Sequence, residues 1–507
     1  MSLTAYTSRL ITALAVLTLS LVFAQASTPA PVHGGSLVVA INDEPALLDP
    51  TFTPAAETQR MMYGNVLEGL VGFSEGGGIS PVLATAMPKI SDAGLSYTFT
   101  LRKNVSFHDG SAFTSADVKH AFDQARDATS GRVNPQYFTD IAAINTLDAY
   151  TVQFKLKKVN GEFIFNLARA ESVIEPSGAD PASLKTHPIG TGPFKFDAWT
   201  RGVSVKLTRN SKYWQPSLPY LDSVTFRFMS GDTATQVAAL RAGDVDVIGY
   251  NLPAEQAAAL RSDKNFKVIN GNSTGEIVIG LNNARKPFSD LRVRQAFNYA
   301  INKREIVDGA FFGYGKPIGS MNSEGERYFV DLSGYYAYNL DKAKALLKAA
   351  GYANGLSVTF AVTNEFPIER KTAEVYVAQL AKVGVKAQIE LIPFATWLTR
   401  VFTNHDYDMT IIGHAEPFDM DRFAEPNYYF GYNSKEYQQL NAEAIASVSE
   451  VKRTALYGRM QRLLAHDAAA VFAFTAPYLA ATRANVYGWW KNQPTPALVC
   501  STVFKTR

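Results

Sequence analysis

The stretch IIGHAEPFDMDRF, residues 411–423, places a histidine (His414) and three acids (Glu416, Asp419, Asp421) directly behind an apolar run. Several kinds of chemistry use such a set. Histidine and carboxylates together can hold a metal ion. Two carboxyls facing each other across a bond can hydrolyse a glycoside. A carboxylate at the end of a pocket can receive an ammonium group, which is costly to bury without such a partner. The plain alternative is a solvated loop. The aromatic residues nearby narrow the choice. NYYFGY (427–432) supplies Tyr428, Tyr429 and Phe430, and Trp397 lies upstream in PFATWLTRVF. An aromatic wall opposite carboxylates suits a cation or an amide-rich ligand, although alternate aromatics in such a run also suit a core. No His/Cys cluster with ligand spacing, H-E-x-x-H motif or phosphate loop accompanies them, so no metal, cofactor or catalytic residue is assigned.

The elements around this stretch alternate between β and α types. HDYDMTIIG (405–413) reads as a buried strand, so the acids fall just past a strand end, where open α/β sheets place ligands. RKTAEVYVAQLAKVGVKAQIELI (370–392) reads as a helix, a glycine turn and a strand. DLRVRQAFNYAINKREIVDGAF (290–311) has apolar residues at helical spacing behind an Asp cap. Further upstream, GSLVVAIN (35–42) reads as a buried strand. Segments 96–108, 150–158 and 203–210 alternate like half-buried strands. TSADVKHAFDQAR (114–126) is a helix that Thr114 or Ser115 can cap, with Asp117 in its first turn. FHDG (107–110) and GTGPF (190–194) read as turns. This order predicts an α/β protein with more than one sheet.

The chain has 507 residues, 47% of them hydrophobic and 19% charged, which implies a packed protein of two or three domains. The net charge is +3 and the basic residues are scattered, so no nucleic-acid surface is expected. The first 26 residues have one arginine, an apolar stretch of 14 residues and AQA at the end, the layout of a secretory signal peptide cut after Ala26. A membrane span needs roughly 20 apolar residues, and no later segment reaches that. The single cysteine, Cys500, allows no intrachain disulfide and leaves no lipid-attachment cysteine near the cut. A soluble periplasmic location is expected.

LRKNVSFHDGSAFTSADVKHAF (101–122) resembles the most recognisable segment of the extracellular solute-binding proteins of the peptide/nickel class, family 5, which serve ABC importers. ALLDP (46–50), IGTGPFKF (189–196), LTRNSKYW (207–214), ALRAGDVDVIG (239–249) and PFSDLRVRQAFNYAINKREIV (287–307) follow in the family's order, and the resemblance covers essentially the whole mature chain. It implies a two-lobed, Venus-flytrap α/β fold with an extra subdomain in lobe I. Lobe I would gather residues 33–70, 188–282 and 478–507, the subdomain residues 71–187, and lobe II residues 283–477, with hinge crossings near 282 and 478. It implies no enzyme, but a periplasmic binding protein that closes on a solute and delivers it to permease and ATPase subunits, as a monomer and without a cofactor.

In peptide-binding relatives an acid in the loop after residue 413 pairs with the ligand's ammonium, and Glu416 matches that position. His414, Asp419, Tyr428 and Trp397 are then further candidates for the pocket. Two departures stand out. Dipeptide binders carry an arginine just before the helix at 370 that grips the ligand carboxylate, whereas Asn364 and Glu365 stand there in this chain. The loop ends DMDRF rather than in a DPDNF-like spelling, and Gly413 or His414 replaces a tryptophan. These changes move the expected ligand from an ordinary dipeptide toward a neutral or cationic compound, a short peptide or an amino-acid-like amine. A metal chelate of the family's nickel type, and a secreted hydrolase built on Glu416 and Asp419, are the alternatives.

Overall fold

The computed structural model describes residues 29–229, 233–414 and 418–507. Its strands gather into a seven-stranded and a six-stranded sheet, each with helices beside it, and a four-stranded antiparallel sheet. The first runs, in spatial order, Phe266–Gly271, Tyr478–Arg483, Val247–Ile248, Ser36–Ile41, Ser223–Phe228, Ser204–Arg209, Phe194–Thr200. The second runs Lys316–Pro317, Ala470–Thr475, Glu276–Leu281, Met409–His414, Leu356–Thr363, Val385–Ile392. Lys89–Ser91, Ser96–Thr100, Thr151–Leu156 and Ile141–Asp148 form the small sheet, inside the segment expected to be an insertion.

Each sheet has its own core. Leu37, Val39, Phe194, Val205 and Phe226 pack under the first sheet. Phe99, Phe122, Phe154 and Phe163 fill the small domain through edge-to-face ring contacts. The second sheet is covered on both faces, by Phe297, Tyr376 and Leu380 on one side and Trp397, Tyr429 and Tyr457 on the other. Its central strands Glu276–Leu281 and Ala470–Thr475 are buried along their whole length, as expected between two helical layers.

The chain passes between the large sheets twice, at 272–275 and at 476–477. The crossings are tied together: Ala476 N–H donates to Gly275 O at 2.7 Å and Ser273 Oγ donates to Ala476 O at 2.6 Å. The strand Glu276–Leu281, which a boundary at 282 assigns to the first lobe, pairs only within the second sheet. Its run EIVIGL suits either core, and hydrophobic pattern alone cannot choose between them. Gly271 enters the crossing so close to the 491 carbonyl that an added Cβ would lie 1.5 Å from it.

Local signals were followed closely in several places. Thr114 caps the helix Ser115–Arg126 in a capping box with Asp117. The expected helix over 290–311 is two, Leu291–Ala300 and Lys303–Phe311. Asn302 breaks it: its side chain caps the second helix, and Gln379 Oε1 accepts its backbone N–H at 2.9 Å. Among the described residues no helix is long and apolar enough to cross a membrane.

Candidate functional site

Three strands of the second sheet run parallel. Leu356–Thr363 pairs with Val385–Ile392 on one side and with Met409–His414 on the other, so all three end at one edge. In an α/β sheet the crevice beyond such ends is where ligands sit. The loops leaving this edge begin at Asn364, Pro393 and residue 415. Carboxylates lace them together. Glu365 accepts the Phe394 N–H at 3.0 Å, and Glu369, on the helix Pro367–Ala381, accepts the Gly413 N–H at 3.1 Å. Burial raises the Glu369 carboxyl above the usual range.

Of the residues singled out in the sequence, Glu416 lies outside the described residues. His414 ends its strand buried, with Nδ1 2.8 Å from Asp419 Oδ2 and Nε2 2.9 Å from the Tyr429 hydroxyl. Its ring stacks on Phe430 at 5.6 Å. Both ring nitrogens are engaged within the protein, so His414 fixes Asp419 rather than facing a ligand. Asp419 is also 3.8 Å from the Arg422 guanidinium. Asn364 and Glu365 are exposed at the edge, in the expected place. Tyr428 is half-buried against Phe402, with the Arg422 guanidinium 5.9 Å from its ring centre.

Trp397 does not line an open surface. It is 3% exposed, donates from Nε1 to Thr410 Oγ1 at 2.8 Å, and stacks on Phe394 at 5.8 Å. Tyr429 and Phe430 are equally buried, so most of the aromatic run is core. Trp397→Phe is expected to cost about 1 kcal/mol, the worth of one buried hydrogen bond. Ligand affinity should stay within about twofold, a deletion of one neutral bond remote from the ligand. Thermal unfolding and titration calorimetry check both, and a large loss of affinity would restore Trp397 to the pocket.

Two acids escaped the sequence reading. Glu276 opens the central strand, pairs in register with His414, and is 2% exposed. Glu326 faces it, accepts the Phe418 N–H at 3.1 Å, and accepts both the N–H and the hydroxyl of Ser323 at 2.8 and 2.9 Å. Burial, then the charge of Glu326 and a hydrogen bond between the two carboxyls, pushes the Glu276 carboxyl well above the usual range. Glu326 thereby anchors Phe418. The one available signal was a glutamate at the head of an otherwise apolar strand. Close by, Asp421 Oδ1 is buried without a partner among the described residues, and burial and the nearby charge of Glu162 raise that carboxyl as well. Glu162 belongs to the small domain and accepts the Tyr457 hydroxyl at 3.0 Å, while Phe165 meets Phe418 at 5.9 Å.

GNSTG (271–275) fits the G-x-S-x-G pattern of hydrolases in spelling alone. Ser273 lies in the hinge crossing, its hydroxyl spent on the Ala476 carbonyl, and no strand-to-helix elbow surrounds it. FHDG and GTGPF are turns, as expected, and they touch: His108 Nε2 lies 3.0 Å from Gly192 O. Among the described residues no three metal-capable side chains gather.

Two α/β lobes joined by two crossings, with ligand loops leaving the carboxyl ends of parallel strands, define a two-lobed periplasmic binding protein. The family model of the bacterial extracellular solute-binding proteins, family 5 Middle, matches residues 78–435, and the chain belongs to that family. It is 30% identical over 473 residues to the glutathione-binding protein GsiB of Escherichia coli O1:K1, covering 90% of this chain and 91% of that one. Among solved structures it is similar to HbpA2 of Haemophilus parasuis (26% identity, TM-score 0.82, 93% and 100% of the two chains). It is also similar to the Helicobacter pylori DppA periplasmic binding protein in complex with peptide STSA (27%, TM-score 0.72, 94% and 99%). A third is the binding protein AgaA of A. tumefaciens R10 in complex with agropinic acid (28%, TM-score 0.70, 93% and 99%). The role of the chain is substrate binding for an ABC importer, not catalysis.

Proposed function

We propose that the chain captures a small amine-bearing organic solute, a short peptide or an amino-acid-like compound, between its lobes and hands it to a membrane permease. The observation that carries this reading is the crowding of carboxylates at one sheet edge. Glu365, Glu369, Asp419 and Glu326 all lie on or beside the segments there, and no arginine stands just before the helix Pro367–Ala381. Such an edge favours a positive ligand group. Glu416 sits in the sequence of the same loop, and we assign it the ammonium contact. Two of the relatives' ligands, glutathione and the peptide STSA, carry a free amine and fit the class. The lobes follow the boundaries given above with the first crossing moved to 272–275, the mature chain is a monomer, and the leader is removed on export to the periplasm after Ala26.

Titration calorimetry against glutathione, STSA and their N-acetylated forms tests the reading. The free amines should bind, acetylation should weaken binding at least tenfold, and Glu416→Gln should do the same, in keeping with a charge-assisted contact. Equal binding of acetylated and free forms, or a retained ligand that is a dicarboxylate without an amine, would overturn it.

A further inference from the structure

The opposite lobe presents an arginine at the matching edge of its own sheet. The parallel strands Ser36–Ile41 and Val247–Ile248 end at Asn42 and, two residues on, at Tyr250. Tyr250 Oη accepts the Asn42 N–H at 3.2 Å and reaches Glu57 at 3.4 Å. The Arg60 guanidinium, from the helix Ala56–Met62, lies over the ring of this tyrosine, 3.8 Å from its centre. Its Nη1 donates to Glu57 at 2.8 Å. Among the described residues its buried Nε has no acceptor, although the side chain as a whole keeps 14% of its surface exposed. A buried guanidinium N–H ordinarily has a partner. The bond to Glu57 is in use, and the buried Nε–H is unspent.

The position is at the hinge end of the cleft. Leu252 N–H donates to Leu479 O at 3.2 Å, and the Tyr478 hydroxyl donates to Gly249 O at 2.8 Å, so the Tyr250 segment is bonded to the strand that leaves the second crossing. Glu75 lies close enough to Tyr478 to bear on it together with Arg60. Glu75 in turn lines a small cavity with Ser273 of the first crossing and Glu326, the anchor of Phe418. Arg60 on the lobe I side and Glu326 on the lobe II side thus both lie near the two crossings.

The geometry points to Arg60 as a carboxylate-binding residue for the transported solute. The ligand would be zwitterionic, its ammonium at the acidic edge of lobe II and a carboxylate on the Arg60 fork of lobe I. This rests on the amine-bearing reading above and adds the second pole. It also supplies a carboxylate partner from the other lobe, where Asn364 and Glu365 leave none in the arginine's usual place. Stacking on Tyr250 and the bond to Glu57 hold the guanidinium plane in advance, which suits two-point recognition of a planar carboxylate. A ligand that bridges both lobes favours the closed arrangement, because only there are both contacts made.

The experiment compares free-acid and capped probes, STSA against its C-terminal amide and glutathione against its glycyl ethyl ester, by calorimetry on the mature chain and on Arg60→Gln. The wild type should prefer at least one free acid over its capped form by tenfold or more. In Arg60→Gln that preference should fall to within twofold, with the capped form bound as before. Glu57→Gln/Arg60→Gln, which leaves no unpaired acid behind, should behave alike if the single variant proves unstable. A wild type that binds both forms equally, or a variant that keeps the preference, sinks the Arg60 assignment alone. Failure of every free amine to bind sinks the amine-bearing reading and this proposal with it.

Discussion

Glu68→Ala is expected to lower the unfolding free energy by about 4 kcal/mol, the sum of several buried donors left without acceptors. Glu68 is 5% exposed and receives three hydrogen bonds between the core of the first sheet and that of the small sheet. Thr191 Oγ1 and Trp214 Nε1 donate to Oε2 at 2.7 and 3.1 Å, and the Tyr213 hydroxyl donates to Oε1 at 2.8 Å. Burial raises the carboxyl above its usual range, with the three donors and the charge of Arg102 opposing the rise. Alanine orphans all three donors and leaves a void. Glutamine behaves differently. Its oxygen in the Oε2 place keeps Thr191 and Trp214, and its amide can donate to a Tyr213 hydroxyl that has turned to accept. Glu68→Gln should therefore cost about 1 kcal/mol, the loss of charge assistance at bonds that survive. Urea unfolding of the two variants, with the exposed Glu255→Ala as reference, reads the contrast directly. An alanine variant as mild as Glu255→Ala would show that this carboxylate does not hold the joint.

That joint also explains which parts of the site were legible in the sequence. FHDG, GTGPF and LTRNSKYW carry the family resemblance most clearly, and in the structure they converge on Glu68 and His108 rather than on a ligand. Their spelling is constrained by contacts between segments far apart in the chain, so they announce the fold and say little about cargo. The strand before the acidic stretch was legible because an apolar run followed by acids is a local pattern, and the parallel pairing of Leu356–Thr363 with Met409–His414 sets that strand's end at the edge. Glu276 and Glu326 were invisible because their meeting depends on which sheet the strand Glu276–Leu281 joins. Trp397 attracted attention by its nearness to the acids in sequence, yet its partner Thr410 sits within the strand, which turns the indole inward. Arg60 lies on a short helix near the N-terminus, and only the end of the strand Val247–Ile248 brings Tyr250 to it.

The second large effect concerns pH. His108 accepts the Gly190 N–H at Nδ1 (3.3 Å), so its proton is on Nε2, which donates to Gly192 O at 3.0 Å. A second proton would have to sit on Nδ1, facing the Gly190 N–H. Burial pushes the ring pKa down to about 4 from 6.5; the Gly192 hydrogen bond and Asp109 resist, and the Lys195 ammonium, which donates to the His108 carbonyl at 3.3 Å, adds to the fall. A group whose folded pKa is depressed gives stability that is whole above its unfolded pKa and is lost as pH falls through the folded one. The clamp should therefore contribute fully at pH 7 and lose about 3 kcal/mol between pH 6.5 and pH 4, the equivalent of that shift. Glu175 runs the other way: burial and the neighbouring Asp49 raise it to about 8, so its contribution is lost as pH rises from 4.5. Total stability mixes the two, but a difference between proteins isolates the histidine. In His108→Gln the amide can still donate to Gly192 O, the Nδ1 acceptor is gone, and nothing at 108 titrates. The variant should be less stable than wild type at pH 7.5, by about 1–2 kcal/mol for the orphaned Gly190 N–H. Near pH 4 the two curves should meet or cross, because by then the wild type has lost what the variant never had. Urea midpoints at pH 7.5, 5.5 and 4.5 decide it. Parallel curves would mean that His108 titrates alike in the folded and unfolded chain, and that its place between the two turns is packing alone.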